Sequence, residues 1–240
     1  MSMLIQVDQD VWVAEQPMRY FGLSIGARMT VIRLQNQEIG VVSPIRLTEA
    51  LVAQLDRIGA VAHIIAPNLY HYFFASDFKA RYPTANFWAA PGLEEKRPEL
   101  PIDYVIEPTV VEASRSELWN CLDFVLFEGF KTLGSGGIDN LNECIFFHKS
   151  THTLIVTDTA FHFDESFSLL TRLAAKTGGG YKKLSPSILE KIATQDREKV
   201  RRSVERVLKW DFERVIMAHG SIIERHGKEK FRQGYEAFLA

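Results

Sequence analysis

The chain has 240 residues, of which 46% are hydrophobic and 24% charged, the make-up of an ordinary globular protein long enough to bury a core. Its formal net charge of −2 gives no bulk electrostatic pull towards nucleic acid or an anionic membrane, so neither is an expected partner. Two lone cysteines, Cys121 and Cys144, read as reduced core thiols, and the absence of a signal-peptide pattern or a bilayer-length apolar run predicts a cytoplasmic protein.

Val11–Ala14 and Met29–Leu34 are short β-branched segments, and the polar turn Gln35–Glu38 leads from the second into Ile39–Val42, a hairpin pattern stopped by Ser43-Pro44. Thr48 can cap a helix in which Leu51, Val52, Leu55 and Ile58 recur at helical spacing, with Gly59 closing it. The run Val61–Ala66 is apolar enough to be a strand buried on both faces. It breaks off at Pro67-Asn68, and His71 follows at what reads as the start of a helix carrying Phe74 and Phe78. Ala85–Ala90 is a further short strand, and this alternation of strands and helices predicts a layered α/β protein.

Lys96–Pro108 reads as surface connection, after which β character resumes from Leu118 to Phe127. Leu133–Gly137 and Gly178–Gly180 read as flexible loops. Cys144–His148 and Thr153–Asp158 form a hairpin pattern, and a helix with Phe163, Phe167, Leu170 and Leu173 as its apolar side follows. A helix from Gln195 to Leu208, a strand over Phe212–Met217 and a helix over Gly227–Leu239 complete the chain. The pattern is one domain over 1–240, made of two β-then-α halves at about 1–115 and 116–240.

Three polar residues share one signature: His71, Asp158 and His219 each stand just past a buried strand pattern. If those strands are roughly parallel neighbours, their ends converge on one sheet edge, and two imidazoles with a carboxylate suit a zinc, iron or manganese ion. The alternative is three separately hydrogen-bonded side chains, with Asp158 capping a helix. The glycine runs lack the setting of a phosphate loop, and no G-x-S-x-G supports a serine nucleophile. His63 reads as a core histidine, His148, His152 and His226 as surface or structural, and Arg201, Arg202 and Arg206 as a solvated helix face.

The segments Ala66–His71, Leu154–Phe161 and Val215–Gly220 resemble the metallo-β-lactamase superfamily, in a branch with a degenerate metal-binding motif, and the resemblance spans nearly the whole chain. It implies an α/β fold of the four-layer αβ/βα sandwich type. Aligned on the last histidine of the family's H-x-H-x-D-H motif, this chain carries Ala66 and Asn68 in place of two histidines and Tyr70 in place of the aspartate. Ser43 stands where an aspartate often follows the early hairpin, and a mid-chain histidine is absent before Glu143. All three histidines of the family's first metal site are thus missing, while His71, Asp158 and His219 keep three of the four ligands of the second.

Two readings stay open. One is a metallo-β-lactamase-like hydrolase of a small-molecule substrate with at most one zinc, iron or manganese ion on His71, Asp158 and His219, and His162 or Tyr70 as candidate catalytic residues. The other is a non-catalytic scaffold that has lost the metal and binds a small molecule or a protein partner.

Overall fold

The computed structural model describes residues 3–134 and 137–240. They form two compact units, the first comprising the chain up to Gln16, Ala27–Asp123 and Lys149–Thr151, the second Pro17–Gly26, Phe124–His148 and His152–Ala240.

The first unit carries a seven-stranded sheet in the order Ile5–Asp8, Val11–Gln16, Ala27–Arg33, Glu38–Val42, Ala60–Ala66, Asn86–Ala89, Tyr104–Val105. Its early strands pair antiparallel as the hairpin pattern predicts. From Glu38–Val42 onward the pairing is parallel. Ala60–Ala66 therefore has parallel neighbours on both sides, and Ile64, Ile65 and Ala66 are fully buried, which explains its unbroken apolar run. The helix Glu49–Ile58 supplies the crossover; Thr48 caps it by accepting from Leu51 N, and Leu51, Val52 and Leu55 face inward. Gly59 follows in extended backbone, and a side chain there would meet the Gln37 carbonyl at 2.1 Å, so close approach rather than handedness selects glycine.

The second unit carries a four-stranded sheet in the order Leu122–Phe127, Glu143–His148, Thr153–Val156, Arg214–Met217. Its helices Leu169–Gly178, Ile188–Ala193, Arg197–Val207 and Gly227–Leu239 follow or precede the last strand. An aromatic cluster of Phe127, Phe130, Phe231, Tyr235 and Phe238 fills the core, with ring centroids 4.7–5.8 Å apart.

Several local expectations are corrected. The β pattern from Leu118 begins instead with a short helix, Glu117–Cys121, because Ser116 accepts from Leu118 N and caps it; the strand starts at Leu122. The first glycine-rich stretch is largely a hairpin, Lys131–Gly134 against Gly137–Asn140, with Ser135 and Gly136 outside the described residues. The second is pinned, since Phe163 N donates to the Gly180 carbonyl at 2.7 Å. In the helix Leu169–Gly178 the expected apolar side faces outward: Thr171 and Ala175 are buried while Leu170 and Leu173 are exposed.

Candidate metal centre

Strand register in the second unit brings two of the candidate residues together. Thr153–Val156 and Arg214–Met217 are parallel, paired from Thr153↔Arg214 to Val156↔Met217. Asp158 and His219 each stand two residues beyond those matched ends, and His219 Nε2 lies 3.4 Å from Asp158 Oδ1. His219 is buried, and its other ring nitrogen, Nδ1, donates to the Gly26 carbonyl at 2.5 Å. A carbonyl oxygen only accepts, so the proton belongs on Nδ1. Nε2 is then aimed at a carboxylate oxygen, a contact that is favourable only with a proton or a metal cation between them. A histidine anchored through one nitrogen to a carbonyl, with the other facing an acidic partner, has the orientation of a metal ligand.

Asp158 is held by a residue that sequence patterning passed over. Glu143, fully buried at the head of its strand, accepts from the N–H groups of Thr157 at 2.8 Å, Asp158 at 2.7 Å and Thr159 at 3.1 Å. It also accepts from the Thr159 hydroxyl at 2.7 Å. Burial, and then the charge of Asp158, push its carboxyl pKa up against the pull of the hydrogen bonds from Thr157 and Asp158. A charged residue opening a wholly buried strand, Glu-Cys-Ile-Phe-Phe-His, was the signal available for it. Gly26 left no such signal, lying 193 residues from His219.

The turn after His219 admits little else. Gly220 has φ +95°, and a Cβ there would come within 2.2 Å of the His162 carbonyl. That close approach lets Ser221 N donate to His162 O at 2.7 Å. His162 in turn donates from Nδ1 to the Ser221 carbonyl at 3.2 Å, and burial lowers its pKa, so the ring is neutral at pH 7.

His71 belongs to the first unit, after the strand Ala60–Ala66. That strand lies in the seven-stranded sheet, so the expectation of three neighbouring strands holds for two of them only. Pro67 offers no N–H to extend the ladder. Buried Asn68 then accepts through Oδ1 from Tyr70 N at 2.9 Å and His71 N at 2.8 Å, turning the chain. The Ser43 hydroxyl pairs with His71 Nδ1 at 2.7 Å, from a backbone at φ +56° whose N–H donates to Ile65 O at 3.0 Å. Tyr70 carries the Lys96 ammonium 4.0 Å above its ring.

The remaining histidines have structural partners. Buried His63 bonds Trp88 and Ser116, His152 donates to the Asp211 carbonyl at 2.7 Å, His148 is buried in its strand, and His226 precedes the C-terminal helix.

Against solved structures the chain matches over nearly its whole length. It is 13% identical to DIM-1 metallo-β-lactamase, with a TM-score of 0.66 over 98% of this chain and 97% of that one. It is 9% identical to a metallo-β-lactamase from Pontibacter korlensis, with a TM-score of 0.63 over 99% of each. It also matches the Flv1 flavodiiron core from Synechocystis sp. PCC6803 at 12% identity, with a TM-score of 0.59 over 99% of this chain and 60% of that one. The chain has the metallo-β-lactamase fold, as the resemblance of its strand-end segments implied. It belongs to the family described as a domain of unknown function (DUF4336), whose pattern matches residues 8–177. No curated protein matches it by sequence.

Proposed function

We propose that this protein is a hydrolase of the metallo-β-lactamase fold working with at most one metal ion, held by His71, Asp158 and His219, on a small ester-, amide- or phosphoester-type molecule. The observation that carries the reading is the Asp158–His219 pair, in which Nε2 of a ring anchored through Nδ1 lies 3.4 Å from a carboxylate oxygen. His71, from the first unit, is proposed as the third donor, and zinc, iron and manganese all accept two imidazole nitrogens with one carboxylate oxygen.

A bound ion would supply Lewis acidity and lower the pKa of a water. The chain supplies orientation. Gly26 fixes His219, Glu143 fixes the turn bearing Asp158, and Ser43 with Asn68 fixes His71. Neutral His162 is the first candidate for proton transfer and Tyr70 the second. The limit of one ion follows from the first half of the motif: Ala66 has no donor, and the Asn68 oxygen already accepts two backbone N–H groups. The same conversion of motif positions to structural use favours a second reading, a scaffold that binds a small molecule or protein partner without metal.

Elemental analysis separates the two. Protein purified without metal-affinity resin and offered zinc, iron or manganese should retain about one equivalent; under about a tenth of an equivalent rejects the metal reading. His71→Ala should abolish retention while leaving the circular dichroism spectrum intact, and undiminished retention would remove His71 from the site.

A further inference from the structure

The helix Leu169–Gly178 packs through its small residues. Thr171 and Ala175 are buried, and the Thr171 hydroxyl donates to the Ser24 carbonyl at 3.0 Å. At about 100° per residue the leucines fall on the far side, where Leu169 is 67%, Leu170 61% and Leu173 50% exposed. Ser24 belongs to the small hairpin of Arg19–Tyr20 and Leu23–Ser24, whose turn carries Phe21 at 75% exposure. Gly178, at the other end of the helix, faces Ile188, and the helix Ile188–Ala193 exposes Ile188 at 48% and Ile192 at 70%. Adjoining elements of the second unit thus present a set of protruding aliphatic and aromatic side chains, well beyond the scattered apolar exposure of an ordinary surface.

Charge is concentrated in the same place. Residues 169–192 hold five basic side chains, Arg172, Lys176, Lys182, Lys183 and Lys191, against one acidic residue, Glu190, which leaves 23 basic against 29 acidic residues elsewhere. Glu190 is buried, and its pKa is raised chiefly by burial. Lys182 is paired with Glu165, just outside the segment. Among the described residues no helix is long and apolar enough to cross a membrane, but protruding leucines flanked by lysines suit lying on one.

We infer that the face formed by the helix Leu169–Gly178, the turn at Phe21 and the helix Ile188–Ala193 docks on an anionic lipid surface, the apolar side chains entering the headgroup boundary and Lys176 and Lys183 meeting lipid phosphates. Charge complementarity selects this occupant. A second copy related by two-fold symmetry would set the basic segment against itself, and side chains exposed by half to three-quarters protrude rather than line a groove for a peptide.

Flotation of the full chain with vesicles of phosphatidylcholine and about one-third phosphatidylglycerol tests this, with phosphatidylcholine alone as control. Binding is expected with the anionic vesicles and should fall in about 0.5 M salt. The pairs Leu169→Ser with Leu173→Ser, and Lys176→Glu with Lys183→Glu, should each weaken it at least about tenfold at unchanged melting temperature. Phe21→Ser, outside the helix, should act in the same direction and keeps the test decisive if a helix variant misfolds. No binding to anionic vesicles, or equal binding by all variants, overturns the inference. So does a dimer, seen by light scattering, that the leucine variant dissolves, or retention of polyglutamate that anionic vesicles do not displace.

Discussion

His63 illustrates how partners settle the protonation of a buried imidazole. The Trp88 indole nitrogen can only donate, and it donates to His63 Nδ1 at 3.2 Å, so the ring proton sits on Nε2, 3.3 Å from the Ser116 hydroxyl. Burial lowers the pKa from 6.5 to about 4. The folded value lies below the unfolded one, so the unfolded chain binds more protons between them. The contribution is complete above pH 6.5 and is lost as pH falls towards 4, an effect of roughly 3 kcal/mol. Urea unfolding at pH 7 and pH 4.5 should show a smaller acid loss for His63→Gln than for the unaltered chain; equal losses would refute this account. Glu143 gives a second expectation. A glutamine there would turn a donor towards the N–H groups of the Thr157–Thr159 turn, costing about 2–3 kcal/mol and reducing metal retention through Asp158. The three residues that form the proposed site were legible because each follows an apolar run. Their supports were less so: Glu143 showed only as a charge opening a buried strand and Ser43 only as a replaced motif position, while Gly26 acquires its role from a partner 193 residues away and left no signal.

Among the elements, the turn at Gly220 is the most constrained. Gly220→Ala combines a disfavoured φ with a contact of 2.2 Å to the His162 carbonyl, so it should lower the melting temperature and loosen His219. A melting curve within a degree of the unaltered chain's would contradict the close approach. The helix Ile188–Ala193 escaped the sequence reading although Ser187 and Glu190 form a capping box, with the Ser187 hydroxyl and N–H both directed to the Glu190 carboxylate. Its apolar residues are too few to show a period, so the cap was the stronger signal. Ser187→Ala should cost about 1 kcal/mol in urea unfolding. Long elements with one buried face, such as Glu49–Ile58 and Gly227–Leu239, were legible from spacing alone. The helix Leu169–Gly178 misled because its exposed face, not its buried one, carries the leucines.

For the whole molecule, composition hid what distribution reveals: a net charge of −2 averages a basic segment at 169–192 against an acidic remainder. The fold could be read from strand-end segments because the metallo-β-lactamase fold persists at 9–13% identity. If one ion binds the native state alone, saturating metal should raise the melting temperature relative to chelator, by the equivalent of about 2.7 kcal/mol at a hundredfold excess over Kd. His219→Ala should erase that shift, and a shift that survives would place the ion elsewhere. The bond from His219 to Gly26 spans 193 residues, and Gly220 N donates to the neighbouring Ile25 carbonyl at 3.3 Å. A chain emerging from the ribosome therefore holds its residues 17–26 without their final partners until the strand Arg214–Met217 has been made. Assembly around His219 is thus a late event of high contact order, because it joins residues 193 apart in the chain. A nascent chain arrested before that strand can pair the first unit's sheet and the hairpin of Arg19–Tyr20 with Leu23–Ser24, while Ile25 and Gly26 wait for Gly220 and His219, a point of exposure to proteases and to aggregation.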